Sequence, residues 1–507
     1  MRMRKRLALV PVLIVSLLLC AGLGCGGGGA GQKDAGAAGL MEQARAEMED
    51  GNFTQARELF QGARQEFLSE GDENGARDCL DRIQDMGIIE LNYTIREDEL
   101  RGHLAEAFPR VPEAQREEWI ASGELEHMII DAEPMYFDEV ISNIKFRAVE
   151  LFQQDPEMLA GYEYGYNLLV DIIDEPRGPS WQPFNNPASY RGTHILDVPR
   201  DELPASGLLK IWFPIPIITG PQPAVRVTSI VPDTYVVDPP SIDGDIGVVY
   251  MEVPLDELAG DLELSVQFEF DHYEQRFDVD PAQVGTYDTA SALYQEYTAS
   301  SGNIIITPEI EAAAMEAVGN EVNPYLAAKK IYDYVLDNIT YSFMPHTALW
   351  PRGEPESVYV HEHRFGDCGA QSMYFSALCR AVGIPARTTG GWQLFKGNFS
   401  DHFWAELYLP NYGWLPVDPT AADLADYIPG LSNKELQSFQ DFFFANQDHL
   451  RCVVQKNVDV PLVPPATEPT IIKLALQHPA SNCDTMEDMP DLVINQYWST
   501  QLEVLGE

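Results

Sequence analysis

The chain has 507 residues, 33 of them basic and 79 acidic, for a net charge of −46. That balance excludes a nucleic-acid partner, because phosphate contacts need a basic patch, and it serves first as a solubility device. The length allows three or four domains with real cores.

Residues 1–25 read as an export signal. Arg2, Arg4, Lys5 and Arg6 precede an apolar run over residues 7–19, which is short for a membrane span. Ala21-Gly22-Leu23-Gly24 then lead into Cys25, and small residues before a Cys resemble a bacterial lipoprotein processing site. Gly22 stands where such a site usually carries Leu. Cys20 is the rival, with a good Leu17 but a bulky Leu19 just before it. The expectation is lipidation at Cys25 and an exported, cell-envelope protein held to a membrane by its N-terminus; the alternative is ordinary cleavage and secretion. Residues 26–37, rich in Gly and Ala, are a flexible leash.

Residues 38–90 carry helical periodicity. Gly51-Asn52-Phe53-Thr54-Gln55-Ala56-Arg57-Glu58-Leu59-Phe60 is echoed from Gly71 to Leu80, and the first copy resembles a tetratricopeptide repeat. A spacing of 20 (71 − 51) departs from the roughly 34 of that family. The pattern predicts about three packed helices, a cap or spacer before it is a peptide-binding groove. A protein partner would use this region. Residues 91–175 are read as mostly helical, with a start at Pro112 and a lead-in at Pro134-Met135-Tyr136-Phe137. Pro and Gly clusters at 176–187 mark a boundary.

Over residues 188–282 the period changes to short β-type runs separated by turns, which predicts a β-sandwich. Ser241-Ile242-Asp243-Gly244-Asp245 is acidic but lacks the other ligands of a Ca²⁺ loop, and is read as a turn. Residues 290–465 form the core that carries the chemistry. Residues 324–338 are an amphipathic helix. The link that follows holds His346, Trp350, His361 and His363. The last two have no further ligand at metal-like spacing and are expected to face solvent, so the sequence calls for no metal and no cofactor.

Gly366-Asp367-Cys368-Gly369 opens an amphipathic helix that Gly383 ends and Pro385 closes. A thiol at a helix N-terminus has its thiolate stabilised by free N–H groups and the macrodipole. From His402 the residues alternate, with Phe403, Ala405, Leu407 and Leu409 on one face and His402, Trp404, Glu406 and Tyr408 on the other. Asp418 follows on the next strand. A two-residue turn at Asn411-Tyr412 would put Asp418 and His402 on opposite faces. A five-residue loop over 409–413 instead pairs Tyr408 with Trp414 and Trp404 with Asp418. His402 then lies one diagonal step from Asp418, and Pro410 stays outside the ladder.

Gly366-Asp367-Cys368, His402-Phe403-Trp404-Ala405-Glu406-Leu407-Tyr408 and Gly413-Trp414-Leu415-Pro416-Val417-Asp418-Pro419-Thr420 together resemble the transglutaminase-like superfamily. The resemblance implies a papain-like α+β core within a multidomain α+β chain that also holds an N-terminal helical region and a β-sandwich. It implies Cys368 as nucleophile, His402 as base then acid, and Asp418 as the residue that orients the imidazole. Trp350, Gly369 and Trp404 are candidates for the oxyanion hole or the cleft. The expected reaction is hydrolysis of an amide bond in a protein or peptide. Protein crosslinking is the alternative within the enzyme class, and a non-enzymatic envelope adaptor is the alternative outside it.

Beyond the core, residues 435–446 are read as a helix and 451–460 as an edge-like strand. Residues 466–507 are read as a small tail with strands at 470–477 and 491–497. Cys452 and Cys483 are candidates for a disulfide in an oxidising compartment.

Overall fold

The computed structural model describes residues 36–175, 182–396, 398–466, 470, 474–486 and 489–505. The export signal, Cys20, Cys25 and nearly all of the leash lie outside the described residues, as does half of the boundary at 176–187. The chain divides into two compact units, Met1–Ala148 and Val149–Glu507.

In the first unit three helices follow one another, Ala37–Glu49, Phe53–Glu70 and Glu73–Asn92. Phe53, Ala56, Phe60, Ala63 and Phe67 recur at helical spacing and are all buried. Gly71 ends the second helix at φ 77°, and the Asp72 carboxylate caps the third by accepting from the Gly75 N–H at 3.0 Å. The rest of this unit is less helical than its sequence predicts. Tyr93–Arg96, His127–Ile130 and Glu133–Phe137 form a three-stranded antiparallel sheet. Asp131 and Ala132, at φ 49° and 66°, make the tight turn between the last two. Residues 134–137 are therefore strand, and the helix after them is Val140–Arg147.

The second unit begins earlier than the boundary read from the sequence. Helix Pro156–Ile173 is capped by Asp155, which accepts from the Glu157 and Met158 N–H groups. It sends Leu169, 1% exposed, into the main core of this unit. Gly165 is needed there, since a Cβ would meet the Phe395 ring at 3.1 Å.

The sandwich pairs two sheets. One contains Phe184–Val198, Leu262–Arg276, Ala224–Val231 and Trp498–Leu505; the other contains Leu208–Pro214, Val248–Pro254 and Ala480–Cys483. Leu264, Val266, Phe268 and Phe270 alternate inward along one strand and meet Leu209, Ile211 and Phe213 from the other sheet. Each such side chain contributes about 1.5–3 kcal/mol on burial.

The predicted tail is thus not separate. Residues 480–483 pair with 209–212, and residues 498–505 pair with 189–196. Asp491–Ile494 is a short helix, not a strand. No strand forms over the described residues of 470–477, three of which lie outside the description. Cys452 and Cys483 are both free. They share one apolar core, but the Cys483 sulfur turns to the Thr485 hydroxyl at 3.4 Å.

The core around the predicted site is α+β. Its sheet runs in the order Gly413–Val417, Asn398–Leu409, Ala386–Phe395, Arg451–Gln455, antiparallel throughout. Helix Cys368–Ala381 packs against it and is buried from Gly369 to Arg380. The strand read as an edge is covered. Val453 accepts from the Ile217 N–H at 3.0 Å and donates to the Gln222 side chain at 3.0 Å. The helix beyond Ser432 is Asn433–Phe442.

Candidate active site

Cys368 is the first residue of its helix, directly after the cap. The Asp367 carboxylate accepts from the Ala370 N–H at 3.1 Å and fixes that turn. Gly369 lets the helix approach the next strand, because a Cβ there would meet the Phe403 ring at 3.3 Å. The thiol is half-buried. Burial pushes it well up from its ordinary value, the Asp367 carboxylate adds to this, and the backbone N–H groups of Phe403 and Gly369 pull the other way. Burial outweighs the helix terminus in the direction of this shift.

His402 lies four residues inside its strand, which starts at Asn398. The loop to the next strand pairs Leu409 with Gly413, Tyr408 with Trp414 and Ala405 with Val417, the register of the five-residue loop. His402 Nε2 meets Asp418 Oδ2 at 2.8 Å. Asp418 itself has left the strand, which ends at Val417, and caps the short helix Pro419–Asp423. Its Oδ1 accepts from the Ala421 N–H at 2.9 Å and the Thr420 hydroxyl at 3.2 Å.

One member of this cluster has no signal in the sequence. Arg451 Nη1 lies 2.6 Å from Asp418 Oδ2, the same oxygen that meets His402. Its other edge holds Asp448, with Nη2 at 2.7 Å and Nε at 3.1 Å from Oδ2. All three side chains are fully buried. Burial alone would push the Asp418 carboxyl up, but His402 and Arg451 more than offset it and hold it well below the usual carboxylate range.

The cleft candidates fare differently. Trp404 is 1% exposed and so lines no open cleft. Its ring backs His402, with centroids 6.0 Å apart, and lies 5.5 Å from the Arg451 guanidinium. Trp350, on helix His346–Arg352, is half-buried and packs on the main core. Two tyrosines feel the Cys368 charge instead. Burial, with Cys368 among the nearby charges, pushes the Tyr162 and Tyr341 phenols up. Tyr162 packs edge-on against Phe152 and Tyr427, with centroids 4.7 and 5.4 Å away.

His346 also has a role its sequence does not show. Nδ1 meets Glu356 Oε1 at 2.8 Å, and Nε2 meets the Asp367 carboxylate. Burial opposes its charge, yet the two carboxylates prevail and hold it well above the usual histidine range. A raised folded-state value means that its contribution is full below about pH 6.5 and is lost as pH rises through that value. His346→Gln is expected to cost about 3 kcal/mol at pH 6, with the gap to wild type closing at alkaline pH. Urea unfolding at pH 6 and pH 9 reads this; a gap independent of pH would remove the charged-histidine account.

Of the paired histidines, His361 does not face solvent freely, since Nδ1 meets the Tyr374 hydroxyl at 3.0 Å. His363 is exposed, and the fold brings Glu354 and Glu362 beside it, with ligand atoms within 4.8 Å of one another. Sequence spacing did not reveal that grouping.

Residues 311–419 match the family model of the transglutaminase-like superfamily. The chain carries a transglutaminase-like domain. A protein-glutamine gamma-glutamyltransferase of Pseudomonas aeruginosa is 35% identical over 72 residues, 12% of this chain and 11% of that one. A peptide-N(4)-(N-acetyl-beta-glucosaminyl)asparagine amidase of Macaca fascicularis is 33% identical over 93 residues, 18% of this chain and 12% of that one. A solved structure of a candidate cysteine protease from Cytophaga hutchinsonii is 14% identical, with a TM-score of 0.39 over 64% of this chain and 93% of its own. The chain spans about half or less of the length of the curated relatives it matches. Cys368, His402 and Asp418 all lie within the matched segment.

Proposed function

We propose that the chain is a cell-envelope cysteine enzyme that hydrolyses amide bonds of proteins or peptides, with Cys368 as nucleophile, His402 as base then acid, and Asp418 as orienter. The observation that carries this is the hydrogen bond from His402 Nε2 to the buried Asp418 carboxylate, with a thiol at the N-terminus of the helix packed on the His402 strand. With Nε2–H donated to Asp418, Nδ1 is the basic nitrogen left for the thiol.

His402 removes the thiol proton as the sulfur attacks. The C–S bond forms, the carbonyl becomes an oxyanion beside the first N–H groups of the helix, and the C–N bond breaks as His402 returns the proton to the amine. Water, deprotonated by His402, then opens the thioester and regenerates the thiol. An amine in place of water would give transfer. The amidase relative supports hydrolysis, and the gamma-glutamyltransferase relative supports transfer over a shorter stretch.

The cell-envelope placement rests on the charged-then-apolar N-terminus and on the small residues before Cys25, where a lipid would attach. No helix among the described residues is long and apolar enough to cross a membrane. The N-terminal helices are the part suited to a protein partner.

The test uses the full chain with a casein-type substrate in ¹⁸O-water and a labelled primary amine, read by mass spectrometry. New carboxylates carrying ¹⁸O support hydrolysis. Amine label in their place makes the protein a transferase. Neither product, together with a Cys368 that iodoacetamide modifies no faster than Cys79 or Cys379, sinks the enzyme reading in favour of a binding module.

A further inference from the structure

We infer that Gln477 is a positioning residue for His402: its side-chain amide ties the His402 carbonyl to a carbonyl of the neighbouring strand, and so holds the imidazole where it meets Asp418. The inference rests on the reading of His402 as base and acid. His402 needs such support because its strand is paired there on one side. The ladder to Gly413–Val417 covers only residues 405–409, whereas the ladder to Ala386–Phe395 runs on past His402 and pairs it with Gly391. Gln477 acts on that pair. Its Nε2 donates to the Gly391 carbonyl at 2.6 Å and to the His402 carbonyl at 3.3 Å. The amide NH₂ has two hydrogens, one for each acceptor. The side chain is 7% exposed, so solvent screens these bonds little.

Gln477 is itself held in place. Its backbone carbonyl accepts from the buried Trp392 Nε1 at 3.3 Å. Leu476 donates its N–H to Gln455 Oε1 at 2.8 Å, and Gln455 Nε2 donates to the Leu474 carbonyl at 2.9 Å. Gln455 is fully buried on the strand Arg451–Gln455. Ala475 sits over Gly390, where a Cβ would meet the Ala475 methyl at 2.7 Å, so the glycine lets the segment approach the sheet. His478 adds a second hold on the same strand. Its Nε2 lies 2.5 Å from Asp401 Oδ2, and its ring packs edge-on against Trp498 at 4.8 Å. Residues 474–478 thus grip Asp401 and His402 together. Gln477 lies outside residues 311–419, in the part of the chain that alone reads as a tail.

A purely structural tie would fasten this segment to the sheet and leave the chemistry alone. A positioning tie acts only through His402, because the carbonyl it fixes belongs to the residue whose ring moves the proton. A misplacement of about 1 Å can cost about 10²-fold in rate, and loss of a tie on the backbone behind the ring is expected to cost less, about tenfold. Gln477→Met keeps the length of the side chain and removes both donors. Gln477→Asn keeps the amide on a side chain one carbon shorter, which cannot span both carbonyls, and is expected to cost about threefold.

The experiment mixes the full chain with p-nitrophenyl acetate and follows release of p-nitrophenolate in excess of that from Cys368→Ala. The Cys368 sulfur takes the acetyl group as the ester C–O bond breaks, p-nitrophenolate leaves, and the thiol proton passes to His402. The acylation rate of folded protein, with folding read by near-UV circular dichroism, is expected to fall about tenfold in Gln477→Met. In a His402→Ala background the same change is expected to alter the residual rate by less than about twofold, since the group it positions is gone. Equal losses in the two backgrounds, or no loss in either, overturn the inference. If Gln477→Met does not fold, Gln477→Asn is read in both backgrounds in its place, and a full rate beside an intact His402 overturns the inference. Failure of the underlying reading looks different: wild type would release p-nitrophenolate no faster than Cys368→Ala, or His402→Ala would match wild type, and the inference would fall with it.

Discussion

With Cys368 replaced by alanine, the chain is expected to fold as before and to lose turnover by at least about 10⁴-fold. The fold is insensitive because the thiol is half-buried and Asp367, not Cys368, caps the helix. Alanine is the best helix former, so the change in stability is expected to stay within about 1 kcal/mol. The activity has no substitute source. Cys379 lies on the same helix but is fully buried, and burial pushes its thiol far up. Cys452 is likewise buried and pushed well up. Residual rate can come only from the helix N–H groups and from substrate binding. Cleavage or deamidation of the substrate, beside a melting curve, reads both halves of this result. Activity within tenfold of wild type in a folded Cys368→Ala protein would exclude Cys368 as the nucleophile.

The three residues of the proposed triad were legible because each is announced by local chemistry. A Gly-Asp-Cys-Gly helix start, an alternating strand and a turn with Pro and Gly each need only about ten residues of context. Even the register followed from one local fact, that Pro410 cannot sit in a ladder. What escaped the sequence is contact across long separations. Arg451 is 33 positions from Asp418 and His346 is 21 from Asp367, and no periodicity links either pair. Arg451 opens a strand that looks like an edge, and Ile217 and Gln222, between two sandwich strands, cover that strand at Val453. The sandwich itself takes two strands from the end of the chain, which alone reads as a loose tail. In the N-terminal unit the four-residue strands offer only two alternations each, too few to stand out between helices. A helix terminus contributes about 0.3–1 kcal/mol toward an anion, whereas burial can shift a thiol by several pH units, and burial prevails at Cys368.

Asp418→Asn is expected to lose both stability and activity, because no orientation of the amide satisfies the site. Oδ1 faces the Ala421 N–H and the Thr420 hydroxyl, while Oδ2 faces His402 Nε2 and the Arg451 guanidinium. An amide has one oxygen for these two sides. With its oxygen toward Ala421, its NH₂ meets the Arg451 donors, and His402 can bond to it only by moving the ring proton to Nδ1. That proton then points toward the thiol, and the base is lost. With its oxygen toward His402 and Arg451, the NH₂ opposes the Ala421 N–H and the helix cap is lost. The first arrangement is expected to cut turnover by roughly 10⁴-fold through the wrong tautomer. Either arrangement is expected to cost about 2–4 kcal/mol, as buried donors go unpaired and Arg451 loses one of its two carboxylates. The pH dependence follows from the depressed Asp418 value: its contribution is present above about pH 4 and is lost as pH falls toward the folded-state value. Urea unfolding should therefore separate wild type and variant fully at pH 7 and bring them together in acid. An asparagine variant as stable as wild type at pH 7 would mean that Arg451 does not depend on the Asp418 charge, and the shared-oxygen account of the site would fall with it.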